Sequence, residues 1–225
     1  MDQTSKDPTK ATLAATSWAL LGMMSYEEEV SGYDLKKWID WSVDLYYWSP
    51  SYSQIYTELK KLEGFGLVTS RVEHDEGTRS RRLYKITPAG MRAVTEWTND
   101  APVDPPVLKH SVLLRVTFGH LSNPTRLKEL LQEHAAYAEA RHRKAVEDAD
   151  GAEAEPAWAY SVIALRWAAK YYAAEREFAL ELMKDIDDAD AIMKKAAKGG
   201  FGQPRPRPGY WREVEKQVEA KRKAD

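Results

Sequence analysis

The chain of 225 residues contains no cysteine, so disulfide bonds and cysteine metal ligands are both excluded. It also lacks an apolar run long enough to cross a membrane. Its first ten residues are polar and mixed in charge, unlike the apolar centre of a signal peptide. These absences predict a cytoplasmic protein with no membrane partner. The length allows one large domain or two small ones.

The sequence has few patterns that would support catalysis. Gly64-Phe65-Gly66 lacks the lysine and the following helix of a phosphate-binding loop. No serine has the flanking glycines of a nucleophile elbow. No two of the five histidines have the spacing of a metal-binding pair on one helix turn: these are His74, His110, His120, His134 and His142. We therefore expect no enzyme, no metal site and no cofactor.

The charge is nearly balanced, with a formal net value of −2, which counts mildly against nucleic-acid binding. The basic residues are unevenly distributed, however. Residues 77–85 contain four cations and no acid, namely Arg79, Arg81, Arg82 and Lys85. Because the local field governs contact with phosphates, this segment still favours a nucleic-acid partner.

The segment before these cations has the pattern of an amphipathic helix. Ser49 as N-cap and Pro50 as first residue predict a helix over Pro50–Glu63. Gly64 and Gly66 are expected to end it. Its apolar residues fall on one face, with amides, hydroxyls and lysines elsewhere.

Two strands are predicted next, Val68–Glu73 and Arg82–Ile86, with a charged loop between them. The order of helix, glycine turn and basic hairpin is typical of a winged helix-turn-helix, whose recognition helix enters the major groove of DNA. An ordinary core helix with a solvated face is the alternative for Pro50–Glu63 taken alone. The adjoining hairpin makes double-stranded DNA the favoured partner.

Roles in DNA contact follow from the chemistry of each side chain. Gln54 and Thr57 are candidates for base edges, because glutamine pairs with adenine and threonine contacts the thymine methyl. The phosphate candidates in the helix are Ser51, Ser53, Tyr56, Lys60 and Lys61. The candidates in the wing are Arg79, Arg81 and Arg82.

The remaining chain is predicted to be helical. Helices are expected over Thr12–Tyr26, Ser31–Trp41, Thr87 onward, Val107–Gly119, Pro124–Ala149, Pro156–Lys198 and Tyr210–Lys223, with a break at Asp148–Glu155. The predicted organisation is a winged helix over 1–98, a proline-rich linker over 99–106, a helical dimerisation domain over 107–198, and a flexible linker with a tail helix over 199–225. The length of the late helices suggests pairing with a second copy.

Aromatic residues form two clusters, one before the recognition helix and one on the long late helix. One interpretation is a pocket for a small planar aromatic effector, lined by Trp41, Trp48, Trp158, Trp167 and Tyr171. The other is packing in the core and at the dimer interface, where aromatics are enriched. We favour packing and keep the effector pocket as the alternative.

The ordered motifs of residues 12–98 resemble the PadR-like transcriptional regulators. The resemblance is carried by Trp18-Ala19-Leu20-Leu21-Gly22, Gly32-Tyr33-Asp34-Leu35, Ser53 to Glu63, Gly66-Leu67-Val68 and Arg79 to Gly90. The later half is similar to the branch with a virulence-activator-type C-terminal domain.

This resemblance implies a mainly α fold with a small β-hairpin wing, in which an N-terminal winged helix-turn-helix precedes a C-terminal helical dimerisation domain. It also implies a homodimer on a palindromic operator and repression that an effector relieves. By position, it places Gln54 and Tyr56 in the recognition helix and Arg79 and Arg81 in the wing. A winged-helix module that binds a protein instead of DNA remains the alternative function.

Overall fold

A computed structural model describes residues 13–26, 28–74, 80–103, 105–198, 204 and 207–223. The described structure confirms the predicted fold class, mainly α with one small antiparallel sheet. Its helices are α1 Ala15–Met24, α2 Gly32–Trp41, α3 Tyr52–Gly64, α4 Pro88–Asp100, α5 Ser111–Thr117, α6 Pro124–Ala152, α7 Ala159–Ala197 and α8 Tyr210–Arg222. Among the described residues, no helix combines the length and the apolar character needed to cross a bilayer.

The sheet contains three strands, β1 Val30–Ser31, β2 Val68–Glu73 and β3 Arg81–Ile86, in the order β1-β3-β2. The hairpin of β2 and β3 was expected, with β3 beginning one residue earlier than predicted. Strand β1 was not expected, because two residues are too few to show an alternating pattern. It pairs Val30 with Tyr84 and Ser31 with Leu83, so β3 lies in the centre.

The first predicted helix was too long at both ends. The described helix α1 is confined to Ala15–Met24 and the chain turns at Ser25, whose hydroxyl donates to the Gly22 carbonyl at 2.6 Å. Helix α2 has a complete capping box, in which Ser31 and Asp34 satisfy each other's backbone N–H groups. Helix α2 therefore begins directly after β1, at Gly32.

The prediction that the recognition helix begins at Pro50 with Ser49 as its cap is wrong. The helix begins at Tyr52, and Ser51 is its N-cap. Ser51 and Gln54 form a capping box, whereas the Ser49 hydroxyl accepts from Lys36 at 2.9 Å and donates to Asp40. Because Ser49 is engaged with α2, it does not cap α3. The S-x-x-Q pattern at 51–54 was the signal for the true start.

The chain divides into two compact units. The first comprises Met1–Leu108 and Ala140–Tyr172, and the second comprises Lys109–Glu139 and Ala173–Asp225. Helices α6 and α7 therefore contribute to both. The domain boundaries inferred from the proline-rich segment 99–106 stay a prediction.

In the first unit, one core unites α1 to α4 with the sheet. Helix α4 begins as predicted, with Thr87 as N-cap and Pro88 as first residue. The core residues with less than 2% exposure include Leu20, Leu21, Met24, Leu35, Ile39, Ile55, Leu59, Leu62 and Leu67. This core fixes α3 from one side only.

The predicted helix break at Asp148–Glu155 is shorter than expected. Helix α6 continues to Ala152 because Ala145, Ala149 and Ala152 are buried along one side. Only residues 153–155 and a 3-10 turn at Pro156–Trp158 then separate it from α7. Within the first unit, an ion pair at 2.6 Å joins Glu153, directly after α6, to Arg166 of α7.

The second unit contains α5, the early part of α6, the later part of α7, and α8. Its apolar cluster joins Leu127, Leu131 and Ala135 of α6 to Ala179 and Ile186 of α7. The predicted helix over Val107–Gly119 is shorter in the structure, because α5 covers only Ser111–Thr117 and His110 is its N-cap. Helix α6 begins at Pro124 after Asn123, as predicted.

Candidate nucleic-acid interface

Helix α3 has one buried face and one solvent face. Ile55, Leu59 and Leu62 are completely buried, which anchors the helix to the first core. The predicted contact residues of this helix are all exposed: Ser51, Ser53, Gln54, Tyr56, Thr57, Lys60 and Lys61. The helix thus presents hydroxyls, an amide and two cations on a rigid support.

The polar side chains at the start of α3 are ordered by local hydrogen bonds. The Gln54 side-chain oxygen accepts from the Ser51 N–H at 2.8 Å, so its amide NH2 is the group left pointing outward as a donor. The Thr57 hydroxyl donates to the Ser53 carbonyl at 2.8 Å. The Thr57 hydroxyl is thus satisfied within the helix, which leaves its methyl group as the unbonded end of the side chain.

Tyr56 lies against the start of α2. A Cβ built on Gly32 would stand 2.5 Å from Cε1 of the Tyr56 ring, so the glycine leaves the space that the ring occupies. Tyr52 stacks on Tyr33 with ring centroids 5.9 Å apart, and the ammonium of Lys37 lies 4.6 Å from the Tyr33 centroid. The exposed tyrosines therefore join α3 to α2 and also face solvent.

The lysines of α3 differ in their surroundings. Lys61 lies 3.6 Å from the Glu58 carboxylate, which also accepts a hydrogen bond from Ser17. Lys60 forms no ion pair within the described part of the chain. Of the two lysines, Lys60 is therefore the one that no carboxylate pairs with among the described residues.

The wing carries alternating basic and acidic side chains. Arg71 contacts Glu29 at 2.6 Å and Glu73 at 3.1 Å, and Arg81 contacts Glu73 at 2.7 Å. Hydrogen bonds from Arg81 and Arg71 lower the pKa of Glu73, so this carboxylate is ionised at neutral pH. Arg82 lies 3.8 Å from Glu63. The predicted contact Arg79 lies outside the described residues.

A cavity of about 600 Å³ in the first unit brings together part of the predicted aromatic pocket. Trp41 and Trp158 line it, with ring centroids 5.3 Å apart. Its other lining residues are Tyr26, Glu28, Lys37, Trp38, Glu155 and Ala157. Three predicted pocket residues do not line this cavity: Trp48 contacts Tyr47, and Trp167 stacks on Tyr171 at 5.4 Å. Sequence spacing alone could not show Tyr26 and Trp38 joining Trp158.

A cluster of His110, His134 and Glu175 in the second unit was not anticipated. The histidines are 24 residues apart in sequence, whereas their ring centroids are 4.9 Å apart. Each Nε2 contacts Oε1 of Glu175, at 2.6 Å from His110 and 2.9 Å from His134. Burial acts to raise the pKa of Glu175, but the hydrogen bonds from His134 and His110 outweigh it and lower that pKa.

Comparison with known proteins agrees with this geometry. Residues 20–96, which hold α2, α3, the sheet and most of α4, match the transcriptional regulator PadR-like family. Residues 20–96 are therefore a PadR-like transcriptional regulator segment. The PadR-like resemblance drawn from the sequence motifs is thereby confirmed. Members of this family are transcriptional regulators and not enzymes.

One curated relative is the negative transcriptional regulator PadR of Bacillus subtilis (strain 168). It is 30% identical over 101 residues, which are 45% of this chain, and the chain spans about half of that protein's length, 54%.

Solved PadR-like structures share the fold beyond the N-terminal domain. Bacillus subtilis PadR in complex with operator DNA is 21% identical, with a TM-score of 0.64 over 77% of this chain and 99% of that one. The same protein in complex with p-coumaric acid matches with a TM-score of 0.59, 21% identity and coverage of 76% and 98%. The Vibrio cholerae virulence activator AphA matches with a TM-score of 0.60, 22% identity and coverage of 78% and 99%. At these identities the likeness is one of fold.

Proposed function

We propose that this PadR-like chain binds double-stranded DNA as a homodimer, recognises a palindromic operator and represses transcription in the cytoplasm. The observation that carries the proposal is the division of α3 into a face fully buried by Ile55, Leu59 and Leu62 and an opposite face that is polar and exposed. Such a helix can enter a major groove without losing its packing.

The wing supports the same proposal. Arg81 and Arg82 are exposed on β3, in the hairpin that follows α3. A cation in that position reaches the phosphates beside the groove that the recognition helix enters. Pairing with Glu73 holds the Arg81 guanidinium on the wing, and a phosphate would compete with that carboxylate for it. We therefore expect modest non-specific affinity that falls steeply with salt.

Dimerisation and repression rest on two further observations. Helix α7 exposes Tyr160, Ile163, Trp167 and Phe178, which recur at helical spacing. A face of this kind suits an interface with a second copy. Bacillus subtilis PadR is a negative regulator, which favours repression here. In a dimer, the half-sites would lie about 34 Å apart or a multiple of it.

The test begins with duplexes selected from a random pool by the unmodified chain. Lys60→Ala should weaken binding to selected and random duplexes by a similar factor, and should reduce the slope of log K against log salt by about 1, because one phosphate contact is lost. The matched control is Lys184→Ala, an exposed lysine of α7 outside the winged helix. Equal salt slopes for both variants and the parent chain would show that Lys60 does not contact a phosphate.

Specificity is tested separately with Gln54→Glu. A glutamate at this position keeps the capping box with Ser51, so the helix should remain intact. It removes the outward amide donor, so discrimination between selected and random duplexes should fall by about tenfold or more. Unchanged discrimination would show that Gln54 does not contact a base.

We further propose that the aromatic cavity of the first unit binds a small planar aromatic effector that relieves repression. Its volume of about 600 Å³ suits such a molecule, and four of its eight lining residues carry indole or phenol rings. Three charged residues also line the cavity, Glu28, Lys37 and Glu155. Lys37 is the one that would pair with an anionic group on the ligand. The complex of Bacillus subtilis PadR with p-coumaric acid supports this ligand class.

The cavity also has a physical connection to α3. It is lined by α2 and by the connection between α6 and α7, both within the first unit. Arg141 of α6 donates to the Asp44 side chain at 2.5 Å and to its carbonyl at 2.6 Å, in the connection between α2 and α3. The Tyr172 hydroxyl donates to the Leu45 carbonyl at 2.9 Å. A ligand that changes the spacing between α2 and these helices would therefore bias α3.

Calorimetric titration with a panel of planar aromatic acids tests the effector. Trp158→Leu should abolish binding, whereas Trp211→Leu on the exposed face of α8 should not change it. A bound acid should also lower affinity for the selected duplex. Binding that survives Trp158→Leu would place the effector elsewhere.

A second candidate function is docking to a protein rather than to DNA. The mixed charge of the wing, where Arg71 and Arg81 meet Glu29 and Glu73, favours it over a uniformly basic surface. Failure to select any duplex from the pool, with a folded dimer present, would favour this candidate.

A further inference from the structure

His110, His134 and Glu175 come from three different helices of the second unit. His110 is the N-cap of α5, His134 lies in α6 and Glu175 lies in α7. Their ligand atoms all lie within 4.8 Å of one another. The side chains are 12%, 18% and 14% exposed, so the cluster is partly closed to solvent and yet accessible to an ion.

We infer that these three residues form a binding site for a divalent transition-metal ion of the zinc class. Two imidazoles and one carboxylate are the donors that zinc and its neighbours prefer, with bonds of about 2.0–2.2 Å. Three protein ligands leave a fourth position for water. Calcium and magnesium are excluded by the nitrogen donors, because those ions take oxygen ligands.

The two histidines contact the carboxylate through the same ring atom. Both Nε2 atoms lie within hydrogen-bond distance of the same oxygen of Glu175, so two N–H groups converge where an ion would sit. On binding, the metal takes the Nε2 lone pairs and each ring carries its proton on Nδ1 instead. No proton is then released if both rings are neutral.

This exchange of tautomer has a structural consequence at α5. The His110 Nδ1 accepts a hydrogen bond from the Leu113 N–H at 3.2 Å. A protonated Nδ1 cannot accept it, so metal binding and this N-cap contact exclude each other. We expect the ion to join α5 to α6 and α7 while loosening the first turn of α5. The cluster shares no residue with the aromatic cavity or with the candidate contact residues of α3 and the wing.

The experiment uses the full chain, without a histidine tag and stripped with chelator. Titration with Co²⁺ should give the visible absorption of a tetrahedral nitrogen–oxygen site at one ion per chain, and Zn²⁺ should displace it. Zn²⁺ should raise the Tm, whereas Mg²⁺ should not. Absence of the Co²⁺ spectrum, or an equal response to Mg²⁺, would overturn the inference.

Single-ligand variants locate the ion. His134→Gln and His110→Gln should each weaken Co²⁺ binding by about tenfold or more, while circular dichroism confirms that they are folded. Having two variants keeps the test valid if one is unstable. The control is His74→Gln, an exposed histidine of the wing. Full binding by both cluster variants, or loss in the His74 variant alone, would place the metal elsewhere.

Discussion

At the scale of single residues, two glycines make room for a neighbouring group. Gly90 lies in the first turn of α4, where its N–H donates to the Thr87 hydroxyl at 3.0 Å. A Cβ there would stand 2.1 Å from the Leu67 carbonyl oxygen and 2.8 Å from Cγ1 of Ile86. Gly32 leaves comparable room for Tyr56. Gly90 adjoins a backbone carbonyl, whereas Gly32 adjoins the end of a side chain. Substituting alanine at the two positions should therefore change stability by different amounts.

Gly90→Ala should destabilise the chain by about 1–3 kcal/mol, because α4 must move away from the Leu67 carbonyl and the Ile86 side chain. Urea denaturation measures the change. Gly22→Ala in α1 is the matched control, since its Cβ meets no atom within 4 Å and alanine favours a helix. A similar loss in both variants would contradict the steric explanation.

Gly32→Ala should displace the Tyr56 ring with little effect on stability, because a flexible side chain can move. If Tyr56 contacts DNA, this variant should lose as much affinity for the selected duplex as Tyr56→Ala does. In the double variant, Gly32→Ala should add nothing further. Additive losses in this double-mutant cycle would show that Gly32 acts through something other than Tyr56.

At the scale of elements, the start of α3 shows how caps compete. Ser49 and Ser51 are both residues of a type that caps helices. If Ser49 were the N-cap, Pro50 would occupy the first helical position, which proline favours. The capping box of Ser51 with Gln54 satisfies two backbone N–H groups. Ser49 instead bonds to Lys36 and Asp40 of α2, and only the tertiary structure brings those partners to it.

Ser51→Ala should therefore cost about 1 kcal/mol and speed hydrogen exchange in the first turn of α3. Ser49→Ala should leave exchange of the same amides unchanged, because its hydroxyl bonds to side chains of α2. Amide exchange at residues 53–55 gives the comparison. Faster exchange in the Ser49 variant alone would show that Ser49 caps the helix, as the sequence predicted.

At the scale of the whole molecule, α7 exposes a row of apolar side chains. Ile163 and Trp167 remain 63% and 55% exposed in the single chain, one turn apart on the helix. Solvated aromatic and aliphatic side chains in such a row favour association. A homodimer would bury them and fix the separation of two recognition helices.

Ile163→Glu should convert a dimer to monomers, because a charge in an apolar interface loses its hydration. Sedimentation velocity measures the mass. Affinity for a palindromic duplex should fall by about tenfold or more, because a monomer can bind only one half-site at a time. The control is Val218→Glu on the exposed face of α8. A monomeric parent chain would remove the dimer from the proposal.

The sequence by itself determined the winged helix. The helical spacing of apolar residues in α3, the cap of α4 by Thr87 and Pro88, and the cations of β3 are all local patterns that the structure retains. The PadR-like motifs lie in the same region because short-range spacing defines them. Tertiary structure alone decided β1, the membership of the aromatic cavity and the His110–His134–Glu175 cluster. Each of these joins residues far apart in the chain, and no local period encodes such a distance.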